Sequence, residues 1–347
     1  MYLRKIILTV LLIGLLIGGI FVYYVYSAFF SSNTAFQNKE AYVYIPSNAN
    51  MADLEELLTP LLQDYESFRA VAQRKQYSER VKGGKYALRK GMNNNEIVNT
   101  LRSSNMPVKV SFNNQESLEA LAGRVAQQIE ADSISLINAF QDKTFLKEQD
   151  TSLETSLGIY IPNSYEFFWN SSAIDFRERM AKEYKRFWNE ERLMKARSKG
   201  LSPNQVVSLA AIVHKESAKI DERPRVAGVY LNRLQKGMPL QADPTVIYAL
   251  KQKLNNFDTI IRRVLYKDLT IDSPYNTYKY AGLPPGPITM PDISAIDAVL
   301  NAEDHDYYYF VANVENFGYH KFAKNLQQHN RNKEQYIRWI NSQNINR

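Results

Sequence analysis

Not one of the 347 residues is a cysteine. Disulfide staples, thiolate zinc sites and a cysteine nucleophile are therefore excluded. The absence suits a protein of the cell envelope, which avoids stray thiol chemistry. Histidine is scarce as well: there are four, and no two are spaced like a helical metal-binding pair. No metal or other cofactor is expected. Acidic residues are the minority charge, 36 against 43 Lys and Arg, for a net charge of +7. A basic balance suits an anionic polymer or a lipid surface. No basic patch is interleaved with aromatics, so nucleic acid is not an expected partner. Internal repeats and low-complexity tracts are also missing. What is present is enough apolar side chain, 45% of residues, to build a real core in one large domain or two modest ones.

The one long apolar run lies at the N-terminus. Residues 6–30 carry no charge, and a helix needs only ~20 such residues to span a bilayer. Arg4 and Lys5 precede the run and hold segment 1–5 in the cytoplasm by the positive-inside rule. Tyr23, Tyr24 and Tyr26 sit where an aromatic belt would meet the far interface. A cleaved signal peptide is the rival reading, but its apolar region is shorter and ends at a small-residue cleavage site. Here the run is long and ends in aromatics. The expectation is a single-pass anchor in the cytoplasmic membrane, a polar tether over 31–40, and the rest of the chain outside.

Beyond the tether, hydrophobic periodicity marks out the elements. Residues 41–46 alternate like a strand. Leu54, Leu57, Leu58, Leu61 and Leu62 keep a helical period that Pro60 should break or restart. GGKYAL at 83–88 is a turn into a strand, and Ile97, Val98 and Leu101 mark a helix. Strand, helix, strand and helix make 41–105 a small α+β module, or else a plain extension of the main domain at 106–347. Val108, Val110 and Phe112 alternate as a half-buried strand. Leu118, Leu121, Ala122, Val125 and Ile129 make an amphipathic helix. YIPNSYEFFW at 160–169 reads as loop or short strand, with Tyr165 and Trp169 either packing the core or stacking on sugar. Phe176, Met180, Tyr184, Phe187 and Trp188 predict one helix ending near Gly200. YYYFV at 307–311 predicts a buried strand, GYHKF at 318–322 comes after a turn, and 334–345 reads as a terminal helix. The fold class is α+β.

The segment at 201–216, LSPNQVVSLAAIVHKE, organises the rest. Ser202 is a good N-cap and Pro203 suits the first turn, where a missing N–H costs nothing. Val206, Leu209, Ala210 and Val213 form one apolar stripe, and the next position on it is Glu216. A carboxylate there must be neutral, paired or facing a groove. A perturbed acid in a cleft is a functional candidate; the plainer reading pairs Glu216 with Lys215 or Arg223. A second helix opens at Pro224, turns Val226, Val229, Tyr230 and Leu234 inward, and closes at Gly237. LQADPTVIY at 240–248 and SPYNTYKYAGLPPGPI at 273–288 come next. Pro284, Pro285 and Pro287 with Gly282 and Gly286 can form neither helix nor central strand, so the second segment is a rigid, shaped loop.

Taken in order, LAAIVHKES, RVAGVYLNRL, LQADPTVIYAL, SPYNTY, GLPPGPI and YYYFVAN…GYHKF…HN resemble the YceG-like family. Its characterised members are endolytic murein transglycosylases. The resemblance runs from about Ala41 to the C-terminus. It implies a LysM-like subdomain at 41–105, where KGGKYALRKGMNNNEIVNTL fits the usual pattern, then a mixed α+β catalytic domain. It implies cleavage of the MurNAc–GlcNAc bond of peptidoglycan glycan strands without water, leaving 1,6-anhydro-MurNAc ends and terminating nascent strands. The partners it implies are glycan strands, the membrane and peptidoglycan synthases. The family's catalytic glutamate falls on Glu216. The chain departs from the pattern at His214, where many members carry an acid, at Ser217 for threonine, at Asn163-Ser164 for Asp-Thr, and at 113–117, which lacks the usual Gly-Trp.

Such a reaction needs one carboxylic acid with a raised pKa, because the muramic 6-hydroxyl on the substrate is the nucleophile. Gln241, Asp243, Thr245, Tyr275, Asn276 and Tyr278 are the candidates to support the oxocarbenium-like intermediate, against a role in loop architecture. Asp243 is the residue that could act as a second carboxylate, as a hydrolytic muramidase would require, or simply form a turn before Pro244. His320 either meets substrate or braces a strand end. A non-enzymatic glycan-binding scaffold is the third reading.

Overall fold

A computed structural model describes residues 2–342. Met1, at the start of the expected cytoplasmic segment, and residues 343–345 of the expected terminal helix lie outside them. The described chain divides into two compact units. Among the described residues every named strand belongs to a two-stranded ribbon, and helices supply the rest. This is the mixed helix-and-strand class expected.

The first unit comprises residues 1–110 with 128–131 and 165–172. It begins with helix α1 (Tyr2–Phe30), 29 residues with no buried side chain, long and apolar enough to cross a membrane. The helix starts a turn earlier than the apolar run and takes in Arg4 and Lys5. Next in the chain are strand β1 (Glu40–Ile45), helix α2 (Met51–Leu58), helix α3 (Tyr65–Arg74), strand β2 (Gly84–Arg89) and helix α4 (Asn94–Ser103). β1 and β2 are antiparallel, with Glu40 opposite Arg89 and Ile45 opposite Gly84. Their inward side chains, Val43, Ile45, Tyr86 and Leu88, pack with Leu54 and Leu58 of α2, Phe68 and Val71 of α3, and Ile97, Val98 and Leu101 of α4. Capping boxes at Asn50/Asp53 and Asn93/Glu96 satisfy the first N–H groups of α2 and α4. Pro60 ends α2 in a short 3₁₀ turn.

Helix α3 is an addition to the expected strand–helix–strand–helix order. Asp64 caps it, and Tyr65, Phe68, Val71 and Ala72 bury one face. Trp169 is half-buried with its ring edge-on to Tyr44 at 5.3 Å, a packing contact.

Strand β3 (Pro107–Phe112) pairs with strand β4 (Asn163–Phe168), the short-strand alternative for 160–169. The second unit, residues 111–127, 132–164 and 173 onward, holds helices α5 (Leu118–Ala126), α6 (Ser133–Phe140) and α7 (Lys143–Glu148). The single helix expected up to Gly200 is two, α8 (Ala173–Phe187) and α9 (Glu190–Ser198). The break lies where Asn189 caps α9 by accepting from Arg192 N, a local hydrogen bond that competes with helix continuation.

The middle of this unit is helix α10 (Pro203–Glu216). All eight residues from Val206 to Val213 are buried, so the expected stripe widens to a helix wrapped on every side. Helix α11 (Arg223–Gln235) and helix α13 (Ile293–Leu300) pack on it through Val226, Ala227, Tyr230, Ala295, Ile296 and Val299. Between them comes helix α12 (Asp243–Leu254). Residues 273–288 contain neither helix nor strand, as their prolines require. At Gly286 an added Cβ would lie 1.9 Å from the Glu154 carbonyl oxygen, so only glycine fits this close approach.

Strand β5 (Tyr309–Ala312) and strand β6 (His320–Ala323) form an antiparallel ribbon. Residues 307–311 are all half-buried, not the buried strand expected, because β5 has a single strand neighbour among the described residues. Helix α14 (Leu326–Ser342) lies against the ribbon and starts before the 334 expected.

Candidate active site

The site begins with how α10 ends. Its N-terminus is held by a reciprocal cap: Ser202 Oγ accepts from Gln205 N at 3.3 Å, and Gln205 Oε1 accepts from Ser202 N at 2.9 Å. Beyond the buried run from Val206 to Val213, the helix delivers Glu216 to the rim of its packed core. A carboxylate at a helix C-terminus also meets the negative end of the helix dipole.

The expected alternative, a surface ion pair, is not what forms. Lys215 Nζ turns away to Glu116 at 2.6 Å. Arg223 is buried and bonds both oxygens of Asp292, at 2.8 and 2.9 Å, and the Ser217 carbonyl at 2.9 Å. Asp292 also meets His214 Nδ1 at 3.2 Å. Glu216 is left with an uncharged partner: the Tyr230 hydroxyl donates to its Oε1 at 2.7 Å. Loss of water around the carboxyl pushes its pKa up to about 7. The Tyr230 hydrogen bond, His320 and Arg233 pull the other way, and Asp243 adds to the rise.

Glu216 and Tyr230 line a cleft of about 320 Å³. Arg233, one turn beyond Tyr230 on α11, lines it too. The guanidinium is buried and tied to backbone carbonyls, Nε to Tyr308 O at 2.6 Å and Nη1 to Leu240 O at 2.8 Å. Among the described residues its positive charge thus stands by the cleft without a carboxylate in ion-pair distance. Tyr309 and Phe310 of β5 and Leu326 and His329 of α14 complete the walls with Leu240.

Of the candidates the sequence singles out, Gln241, Asp243 and Tyr278 share this cleft with Glu216. Gln241 has φ 50°, the left-handed region. A non-glycine residue there costs roughly 1–3 kcal/mol, and such outliers gather at functional sites. Asp243 is not a turn residue; it is the first residue of α12, with Pro244 in the first helical turn. The Tyr278 hydroxyl donates to Asp243 Oδ1 at 2.5 Å.

Thr245, Tyr275 and Asn276 lie outside the cleft lining. Thr245 Oγ1 is buried against Thr277 Oγ1 at 2.9 Å and the Ala242 carbonyl at 2.7 Å. With Gln241 N donating to Thr277 O at 3.0 Å, this clip sews 273–288 to the start of α12. Asn276 holds the carbonyls of Leu269 and Ile271 at 2.9 and 2.8 Å and accepts from Tyr278 N. It shapes the loop that carries Tyr278. Tyr275 is buried against Tyr248, ring centroids 4.6 Å apart, beside a separate cleft. His320 braces: its backbone N–H and ring Nδ1 meet the Glu222 carboxylate at 2.7 and 2.8 Å.

Sequence reasoning does not single out Tyr230, Arg233, Tyr309 or His329. Tyr230 sits at an inward position of a helical period, where an aromatic reads as core. Their one signal is membership of the strings RVAGVYLNRL, YYYFVAN and HN.

Residues 43–335 match the YceG-like family. The chain is 29% identical over 320 residues to the endolytic murein transglycosylase of Bacillus subtilis (strain 168), covering 85% of this chain and 84% of that protein. It is 29% identical over 336 residues to the endolytic murein transglycosylase of Streptococcus pneumoniae serotype 2, where the match spans 59% of the pneumococcal protein. The 2.6 Å crystal structure of a YceG-like protein from Listeria monocytogenes superposes with a TM-score of 0.56 at 29% identity, covering 85% of this chain and 99% of that one.

Proposed function

Since the chain belongs to the YceG-like family, we propose that it is an endolytic lytic transglycosylase of peptidoglycan, with Glu216 as its single acid and then base. The observation that carries this is the Glu216 carboxyl itself, raised to about 7 in a cleft and held by the Tyr230 hydroxyl. At neutral pH a large fraction of it is protonated, as a general acid requires.

The reaction balances without water. Protonated Glu216 gives its proton to the oxygen that links MurNAc C1 to GlcNAc, and that C1–O bond breaks. The muramic 6-hydroxyl oxygen then bonds to C1. Its proton passes to the Glu216 carboxylate, which regenerates the acid and leaves a 1,6-anhydro-MurNAc end. Positive charge builds at C1 between these steps, and the Glu216 carboxylate, ionised once its proton is given up, lies in the same cleft to compensate it. Gln241 and Tyr278 supply hydrogen-bonding groups in the same cleft. Tyr230 fixes the carboxyl in one orientation, which is what positioning in a near-attack geometry needs.

In this reading α1 is the single-pass anchor in the cytoplasmic membrane and the second unit works on the outer face, ending nascent glycan strands beside peptidoglycan synthases. The module at 41–105 is a LysM-like subdomain that holds glycan near the membrane. Activity on isolated sacculi tests the core of it: Glu216→Gln keeps the shape but cannot deliver a proton, and turnover should fall ~10²–10⁴-fold. Near-normal turnover by the folded variant would overturn the assignment.

Asp243 supports a second reading. A carboxylate in the same cleft as Glu216 is what a hydrolytic muramidase would need. Its Oδ1 is taken up by Tyr278, which favours the first.

A further inference from the structure

One titratable group in the cleft has no part in the chemistry above. His329 lies in the first turns of α14, and its ring stacks on Tyr309 with centroids 5.2 Å apart and planes 26° from parallel. The Arg233 guanidinium lies 5.2 Å from the centroid of the same Tyr309 ring. Guanidinium, phenol and imidazole thus share one wall. The wall is fixed at one end by the backbone carbonyls that hold Arg233 and at the other by α14.

The two imidazole nitrogens differ. Nδ1 is buried and has no hydrogen-bond partner among the described residues. A sealed N–H with nothing to donate to is rarer and costlier than a bare acceptor. The proton therefore belongs on Nε2, the nitrogen that is not sealed in, on a ring that lines the cleft. Protonation of both nitrogens is opposed by burial first, then by Lys333 and Arg233, which hold the His329 pKa below its ordinary value. These are the charged groups that face the ring from its own helix and from α11.

We propose that His329 is a substrate-binding residue, a neutral imidazole whose Nε2–H donates to an acceptor oxygen of the glycan, a hydroxyl or an acetamido carbonyl, in the same cleft as Glu216. The inference rests on the transglycosylase reading for the identity of the ligand. Its own content is the tautomer and the donor. Two features make the group suited to this task. Stacking on Tyr309 fixes the ring plane, so the donor direction is set before substrate arrives. Neutrality means the bond is made to an uncharged sugar oxygen without stripping water from a cation.

The test uses the full-length chain in detergent in a Glu216→Gln background, where binding is read without turnover. The probe is uncrosslinked glycan strands, measured by equilibrium binding. His329→Phe keeps the stack on Tyr309 and removes the donor; binding should weaken ~3–10-fold, the worth of one net hydrogen bond. His329→Gln places an amide N–H near the Nε2 position, and affinity should return to within about twofold of the parent. Thermal midpoints of the three proteins, read in parallel, should agree. Parent-like affinity in His329→Phe would overturn the proposal. So would His329→Gln binding as weakly as His329→Phe, since the ring would then act only through packing. Failure of the Glu216→Gln parent to bind strands at all would instead bring down the transglycosylase reading, and this inference with it.

Discussion

The Tyr230 hydroxyl donates to Glu216 Oε1 across 2.7 Å, joining the end of α10 to the middle of α11. The bond stabilises the charged form of the carboxyl and so offsets part of the rise that burial causes. In Tyr230→Phe the ring still packs edge-on to Phe310, 5.9 Å away, but the donor is gone. The Glu216 pKa should climb further, and the alkaline limb of the rate profile should move up by about one pH unit, as expected for a hydrogen bond to a charged group. A pH–rate profile of the variant checks this; an unmoved limb would show that the hydroxyl does not act on Glu216.

Stability should carry the same signature. The Glu216 carboxyl titrates near 7 in the folded chain against an ordinary value of 4.5. The native state therefore holds its proton more tightly than the unfolded state. Its contribution is fully present below about pH 4.5 and is lost as pH rises toward 7. Urea melts of wild type and Glu216→Gln should show the wild type losing ground to the variant across this window and nowhere below it. Asp292 acts in the opposite sense and outside the window. Burial alone would raise it, but hydrogen bonds from His214 and Arg223 hold it well below the usual carboxylate range.

Asp292→Asn should be destabilising. Arg223 is 4% exposed and its guanidinium bonds both Asp292 oxygens, while Asp292 also caps α13 through Ala295 N at 2.8 Å. The Asp292 side chain is 35% exposed, so solvent screens part of the pair and the cost should fall between about 1 kcal/mol for an exposed pair and about 3–5 kcal/mol for a fully buried one. A shift in that range in urea unfolding is expected; a loss below about 1 kcal/mol, the scale of an exposed pair, would mean Arg223 finds water.

The anchor reading is tested in cells. A reporter that works only outside the cytoplasm, fused after the last residue, should be active, and the mature chain should retain α1. Cytoplasmic activity of the fusion, or a mature N-terminus near Ser31, would contradict it.

Local patterns make much of this legible. The Ser202 cap, the helix leading to Glu216 and the proline-rich loop each arise from residues close in sequence. The helix at 243–254 is hidden because Asp-Pro also opens turns. The break at Asn189 is hidden because the apolar period runs straight into Trp188. The cleft is legible only in part. Its walls come from α11, β5 and α14, and neither period nor spacing tells that Tyr230 or His329 will line the cleft of Glu216 rather than core. Conversely, Thr245 and Asn276 carry chemistry-bearing side chains that the fold uses for architecture: Thr245 ties 273–288 to α12 and Asn276 shapes the loop that carries Tyr278.

The most direct measurement is mass spectrometry of the glycan fragments released by the wild-type chain in ¹⁸O-labelled water. With Glu216 as sole acid and base and the muramic 6-hydroxyl as nucleophile, every new MurNAc end should be the 1,6-anhydro form, and neither it nor the new GlcNAc end should carry label. Labelled, hydrated reducing ends would contradict the account and make Asp243 the next carboxylate to replace.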